Sequence, residues 1–329
     1  MAWRFLPSDR RTFTRRFGAG LLMALGACLM PHLAMAEAAK TLRIGYQKFN
    51  SVNILKGTGA LEKALEAQGV KVAWYEFAAG PQLLEALSTG AIDLGHAADA
   101  PSVFAQAAGK PVVYLAAEQP YPKGIGIVVQ DQGEIKTVSD LKGKRVATGR
   151  GWNAQYLLAL ALQQAGLSYS DITPAYVNNA ADAIAALQSG SVQAATLWDP
   201  FLAAAEKKLP VRNLRNGEGL SNNRTFYLTT AEFAKANPEL VKTFFVQLAK
   251  ASDWANKNPQ QVADLLGPQL GIEPEVLLLA TQRRNYSAEA ITPEIIAEQQ
   301  KLADTFQGLG LIPKPLRIDD AVYPVKLLP

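Results

Sequence analysis

From residue 41 to residue 229 the chain alternates short apolar runs with amphipathic stretches, and few folds accommodate that order. Residues 41–47 (TLRIGYQ) are predicted as a strand, 52–68 as a helix stopped by Gly69, and 70–77 (VKVAWYEF) as a second, alternating strand. Residues 81–88 form a predicted helix with Leu83, Leu84 and Leu87 on one face. A strand at 91–94, a helix at 101–108 and a strand at 112–116 follow. Strands separated by helices at this spacing imply an α/β fold with a mostly parallel sheet covered on both faces.

The pattern then restarts. An apolar run at 125–129 (IGIVV) is suited to cross into a second lobe. Strands are predicted at 144–148, 174–177 and 194–198, and helices at 153–165, 180–188 and 201–207. A strand at 226–229 could cross back, which gives one lobe of 37–127 plus 228–329 and another of 128–227. From Ala231 onward the pattern is mostly helical, with Pro238, Pro259, Pro274 and Pro293 each suited to a first helical turn. Residues 82–95 and 183–197 share one local order, an amphipathic helix ended by Gly and then a short strand, as expected of two lobes of similar build.

The N-terminus reads as an export signal over residues 1–36. Five arginines (Arg4, Arg10, Arg11, Arg15 and Arg16) precede an uncharged apolar run, and Ala34-Met35-Ala36 follows as a small-x-small cleavage site. The run is shorter than the roughly 20 residues that span a bilayer. Asp9-Arg10-Arg11-Thr12-Phe13 fits a twin-arginine signal, and an arginine-rich secretory signal fits equally. Leu25-Gly26-Ala27-Cys28 offers an alternative lipoprotein cleavage at Cys28, although the chain stays apolar beyond it. The leader holds five of the 33 basic and one of the 29 acidic residues, so the remainder balances at 28 of each. That balance gives no reason to expect nucleic acid as a partner.

The residue inventory narrows the chemistry. The lone cysteine, Cys28, and one of the two histidines, His32, lie in the leader. His96 alone cannot assemble a histidine zinc site, and no Gly-x-Ser-x-Gly elbow accompanies it, so neither catalytic residues nor a metal or cofactor is expected. His96 is read as a hydrogen-bonded strand-end residue or as cleft lining. Gly149-Arg150-Gly151-Trp152-Asn153-Ala154 matches Gly-x-Gly-x-x-Ala, but bulky Trp152 stands where a pyrophosphate would pack. A glycine turn ahead of a helix still offers N–H groups to any anion, and Ala79-Gly80-Pro81-Gln82 repeats the device. Asp99 and Asp199 stand before helices, where capping explains them as well as ligand contact does. Gly80, Asp99, Gly151 and Asp199 would all lie at strand ends, where open α/β sheets bind ligands. Trp152 and Trp198 follow strands and suit either core or cleft. Arg224, in Asn222-Asn223-Arg224-Thr225, is either a solvated arginine or an anion clamp.

Several of these stretches resemble one family. They are Arg43-Ile44-Gly45-Tyr46-Gln47-Lys48, the segment Glu76-Phe77-Ala78-Ala79-Gly80-Pro81-Gln82, Ile92-Asp93-Leu94-Gly95, Asp99-Ala100-Pro101 and Trp198-Asp199-Pro200. The sequence is similar to the aliphatic-sulfonate-binding proteins of bacterial ABC importers, grouped with taurine, nitrate and sulfate-ester receptors. The resemblance implies a monomeric, two-lobed periplasmic binding protein of type II with two hinge-crossing strands, closing on a small organic anion and docking on a membrane permease. It implies a receptor and not an enzyme, although biosynthetic enzymes share such folds. The second-lobe turn departs from the family's Gly-Ser-Ser-Ser-His-Asn, reading Gly151-Trp152-Asn153-Ala154-Gln155-Tyr156 instead. Arg224 likewise replaces a small residue. The expected ligand is an alkanesulfonate, with a sulfate ester, taurine, an arylsulfonate or nitrate as alternatives. Its contacts would be Gln47, Gly80, Gln82, His96, Asp99, Gly151, Asn153, Asp199 and Arg224, with Trp152 and Trp198 flanking the organic tail.

Overall fold

The computed structural model describes residues 41–324, so the export leader falls outside the described residues. Eleven strands are described: β1 (Thr41–Tyr46), β2 (Lys71–Glu76), β3 (Leu94–Ala98), β4 (Val113–Glu118), β5 (Ile125–Gln130), β6 (Arg145–Thr148), β7 (Thr173–Tyr176), β8 (Ala194–Trp198), β9 (Val211–Asn216), β10 (Thr225–Thr229) and β11 (Ala288–Glu289). Between them run α1 (Ser51–Thr58), α2 (Ala60–Glu66), α3 (Gly80–Ser88), α4 (Asp99–Ala107), α5 (Asn153–Gln164), α6 (Ala180–Gln188) and α7 (Phe201–Lys208). The C-terminal part holds α8 (Ala231–Ala236), α9 (Pro238–Lys257), α10 (Pro259–Leu270), α11 (Pro274–Gln282) and α12 (Pro293–Gly308). No helix among the described residues is long and apolar enough to cross a membrane.

The strands form two sheets, ordered β11-β4-β10-β3-β1-β2 and β7-β6-β8-β5-β9. Each has a parallel trio, β2-β1-β3 or β7-β6-β8, followed by one antiparallel strand. That antiparallel strand is the one arriving from the other lobe: β10 in the first sheet and β5 in the second. The repeated helix–Gly–strand units in the sequence are α3–β3 and α6–β8, at the same place in each sheet. Two buried clusters cover the first sheet and two the second. Tyr156 and Leu160 of α5, in the second lobe, pack into the cluster built on Leu83, Phe226 and Phe306 of the first.

Several elements differ from their sequence reading. The single helix predicted at 52–68 is α1 and α2, broken at Gly59, whose φ of 64° is left-handed. The strand predicted at 91–94 starts where it was expected to end, because Asp93 turns its carboxylate onto Arg43. Strand β9 was not foreseen; it is a half-buried edge strand whose arginines and asparagines hide its period.

The two expected crossing strands do not cross. Ile125–Gln130 lies wholly in the second sheet and Thr225–Thr229 wholly in the first. The chain passes between lobes just before each, at 119–124 and 217–224. These segments are tied to each other: Tyr121 N donates to Asn222 O (2.8 Å) and Gly217 N to Pro122 O (2.9 Å). Asn223 Nδ2 adds a bond to Tyr121 O at 2.8 Å. Asn223 also carries a left-handed φ of 48°, a conformation that costs a residue with a plain Cβ roughly 1–2 kcal/mol. Asn223→Ala and Asn223→Gly remove the same side-chain bonds, but only alanine adds that strain. Denaturant unfolding should rank wild type above Asn223→Gly and Asn223→Gly above Asn223→Ala by about 1 kcal/mol. Equal stability of the two variants would refute this account of the segment.

Candidate ligand-binding cleft

The C-terminal ends of β1, β2 and β3 face those of β6 and β8 across a cleft, as the ligand rule for open α/β sheets requires. The cavity between them measures about 60 Å³. Gln47, Gly80, His96, Trp152, Asn153, Trp198 and Asp199, all singled out in the sequence, line it. So do Lys48, Phe49, Asn50, Tyr121, Asn223 and Arg284, which sequence reasoning missed.

On the first-lobe side, Gln47 continues β1. Its backbone N–H donates to His96 Nε2 at 3.2 Å and its side chain donates to His96 O at 3.1 Å. Accepting at Nε2 leaves the ring proton of neutral His96 on Nδ1. Burial, and then the nearby Arg284 charge, lowers the His96 pKa to about 3. Phe49 follows with a left-handed φ of 64°, an outlier for a bulky residue, and Asn50 accepts from Val52 N at 3.0 Å to cap α1. Phe49 and Asn223, the two non-glycine residues with left-handed backbone among those described, both line the cleft. Such strain is found at ligand clamps. Helix α3 opens on the cleft wall at Ala79-Gly80 with no side-chain cap, so its first-turn N–H groups have no side-chain acceptor at the cap position. Gly80 is required there: a Cβ would stand 2.8 Å from both Cβ and Cγ of Pro101.

Arg284 follows α11, and its side chain is 5% exposed. It pairs with Glu118 at the end of β4, itself 2% exposed. Glu118 Oε1 accepts from Ser51 Oγ at 2.6 Å and from the Tyr227 hydroxyl. Burial pulls the guanidinium pKa down, but Glu118 more than reverses that, and Arg284 stays charged. Its plane lies 4.9 Å from the Tyr121 ring centroid and 5.4 Å from that of Tyr286. Arg284 Nε is buried and has no acceptor among the described residues.

The second-lobe wall is aromatic. Trp152, 3% exposed, stands edge-on to Trp198 at 4.8 Å, and Trp198 edge-on to Phe201 at 5.6 Å. Asn153 Nδ2 donates to Asn223 Oδ1 at 2.6 Å, linking the start of α5 to the crossing segment. Asp199 Oδ1 accepts from Ala203 N (3.0 Å) and Arg283 Nη1 (3.3 Å), and Oδ2 from the Tyr121 hydroxyl. Burial raises its pKa to about 6, with Arg283 pulling the other way.

Four expected contacts lie elsewhere. Arg224 is held by Glu298 (Nε, 2.7 Å), Glu289 and the carbonyl of Glu118 (2.9 Å), and borders a separate cavity with Glu298 and Gln299. Two carboxylates already satisfy its charge. Asp99 borders that same cavity, with Oδ1 bonded to Ala100 N at 2.7 Å; burial raises its pKa to about 7. Gln82 is exposed on the outer side of α3. Gly151 is buried, but its N–H donates to Gln155 Oε1 at 2.8 Å and its Cα packs towards Phe104 of the first lobe. Arg284 gave only one sequence signal, the Arg283-Arg284 pair ending a helix, far from any strand end.

Two lobes, a cleft at opposed strand ends and paired crossing segments define a solute-binding protein of the periplasmic type. Comparison with known proteins agrees. The NMT1/THI5-like family model matches residues 65–262. A relative from Escherichia coli (strain K12), named for aliphatic sulfonate binding, is 38% identical over 293 residues, 88% of this chain and 91% of the relative. The alkanesulfonate-binding protein SsuA from Xanthomonas axonopodis pv. citri, solved bound to MOPS, is 38% identical with a TM-score of 0.82, over 87% of this chain and 99% of that one. The periplasmic aliphatic sulphonate binding protein SsuA from Escherichia coli is 37% identical with a TM-score of 0.78, over 89% and 94%. The chain belongs to the NMT1/THI5-like family, together with these SsuA binding proteins.

The buried His96 makes the cleft sensitive to acid. Between its unfolded pKa of 6.5 and its folded value near 3, the unfolded chain binds a proton that the folded chain refuses. This residue's share of stability is present above pH 6.5 and is lost as the pH falls toward 3. His96→Gln keeps an acceptor and cannot titrate. Thermal melts from pH 7 to pH 4 should show a smaller acid loss in His96→Gln than in wild type. Parallel losses would show that His96 does not carry the effect.

Proposed function

We propose that the protein is the exported, ligand-capturing subunit of an ABC importer, and that it holds an organic sulfonate in this cleft with Arg284 as the anchor. The observation that carries the reading is the buried, unpaired Nε of Arg284. A buried charged donor without an acceptor is costly, and a ligand oxygen removes that cost. The other donors suit the same group: the opening turn of α3 and the side chain of Lys48, whose Nζ is bonded at 2.9 Å to a carbonyl only. Two acceptor groups on the wall are already used, Asn223 Oδ1 by Asn153 and the Asp199 carboxylate by Ala203, Arg283 and Tyr121. A sulfonate has three acceptor oxygens and no proton to donate, so it demands the donors that remain and no acceptor. The kinship with sulfonate-binding proteins supports the same choice.

An enzyme on this fold would need a polarised acid–base pair in the cleft. His96 instead accepts the Gln47 amide, and the charge acting on it is that of Arg284, a cation. Of the two buried acids with raised pKa, Asp99 borders the other cavity, and Asp199, which lines this one, is already bonded to Ala203, Arg283 and Tyr121. Capture and release to a membrane permease, without chemistry, is the role that remains. The apolar leader delivers the protein to the periplasmic side of the membrane, where that permease is met.

Titration calorimetry with ethanesulfonate separates Arg284 from Arg224. Arg284→Lys keeps a charge opposite Glu118 but loses the Nε donor, and should weaken binding at least about tenfold. Arg224→Ala should leave affinity within about twofold. The reverse order would return the anchor to Arg224, and unchanged affinity in both would remove arginine from the site.

A further inference from the structure

We propose that Trp152 sets an upper limit on ligand size, so that the cleft selects short-chain sulfonates over long-chain or ring-bearing ones. This rests on the sulfonate reading above. A cavity large enough for one water needs about 10–15 Å³ of comparable volume, and one of about 150 Å³ holds benzene. At about 60 Å³, the cavity here is several times the first and under half of the second. So small a space suits a sulfonate head that carries a short tail.

Trp152 fixes that boundary, and its surroundings fix Trp152. Its ring lies over Gly149, where a Cβ would collide with it. Its edge-on contact with Trp198, which is itself held edge-on by Phe201, closes the other side. The indole is 3% exposed and heads α5, whose Tyr156 and Leu160 are anchored in the core of the opposite lobe. Displacing the ring would therefore disturb both the aromatic row and the packing of α5. The side chain fills the space that a tail would otherwise enter.

An open apolar groove produces the opposite trend. There, each added methylene raises affinity roughly fourfold, equivalent to about 0.8 kcal/mol. Calorimetry on the purified protein with methane-, ethane-, butane- and hexanesulfonate, and with MOPS as a ring-bearing sulfonate, distinguishes the two. Wild-type affinity should be highest for methane- or ethanesulfonate and at least about tenfold lower for hexanesulfonate and MOPS. Trp152→Ser should recover the longer ligands and flatten the series, and Trp152→Phe should give an intermediate limit. Affinity that climbs with every methylene through hexanesulfonate overturns the size limit while leaving the sulfonate function standing. A short-chain preference that survives in both variants removes Trp152 as its cause. Failure of every sulfonate to bind, methanesulfonate included, overturns the functional reading and this inference together. If Trp152→Ser does not fold, the wild-type series and Trp152→Phe still decide the question.

Discussion

The cleft depends on a buried ion pair. Glu118 ends β4, Arg284 follows α11, and Ser51 and Tyr227 bring α1 and β10 onto the same carboxylate. Four separate stretches of the chain thus meet at one charge. Removing one partner of a buried pair typically costs about 3–5 kcal/mol, because the other is left uncompensated. The arrangement is strict in another way. Glu118 spends its two oxygens on Arg284, Ser51 and Tyr227, so the guanidinium is held in place with its Nε unsatisfied among the described residues. On the proposed reading, the site for an anion is thereby fixed before the anion arrives, which lowers the ordering cost of binding.

The second requirement is communication between lobes. Asn223 is bonded to Asn153 at the start of α5 and to Tyr121 on the other crossing segment. Tyr121 in turn bonds Asp199 and stacks against Arg284. Arg283 reaches from the first lobe to Asp199 and Glu206 of the second, and Lys208 of the second lobe reaches back to Glu273 and Glu275. The Lys208 pairs are half exposed and contribute little to stability. The Arg283 contacts are deeper and meet an aspartate whose side chain is fully buried. Residues that line the cleft, the crossing segments and the interlobe ion pairs are therefore neighbours.

Much of the fold was legible because it is written in periodicity. Leu83, Leu84 and Leu87 mark α3, the alternation in 70–77 marks β2, and Pro238, Pro259, Pro274 and Pro293 each open a helix. Those signals are local, and local sequence determines them. The site was half legible for the same reason. Gln47, Gly80, Trp152, Trp198 and Asp199 sit where strands end, and strand ends can be found from pattern alone. Arg224 and Arg284 show where this fails. Both are arginines beside regular elements, and only tertiary packing puts Glu289 and Glu298 on the first and a single carboxylate, Glu118, on the second. Nothing in residues 222–225 or 281–286 reports which carboxylates will be close by. Trp152 is similar: the sequence shows an indole at a glycine turn, but whether it lines a space or fills it depends on Trp198 and Gly149.

The central claim is that Arg284 Nε, held in place by Glu118, is the donor that receives the ligand. A crystal structure of the protein grown with ethanesulfonate tests it most directly. The account requires a sulfonate oxygen within about 3 Å of Arg284 Nε, with Glu118 still bonded to the same guanidinium. A sulfonate bound elsewhere in the cleft, or beside Arg224, with Arg284 Nε left bare or bonded to the protein, would contradict it.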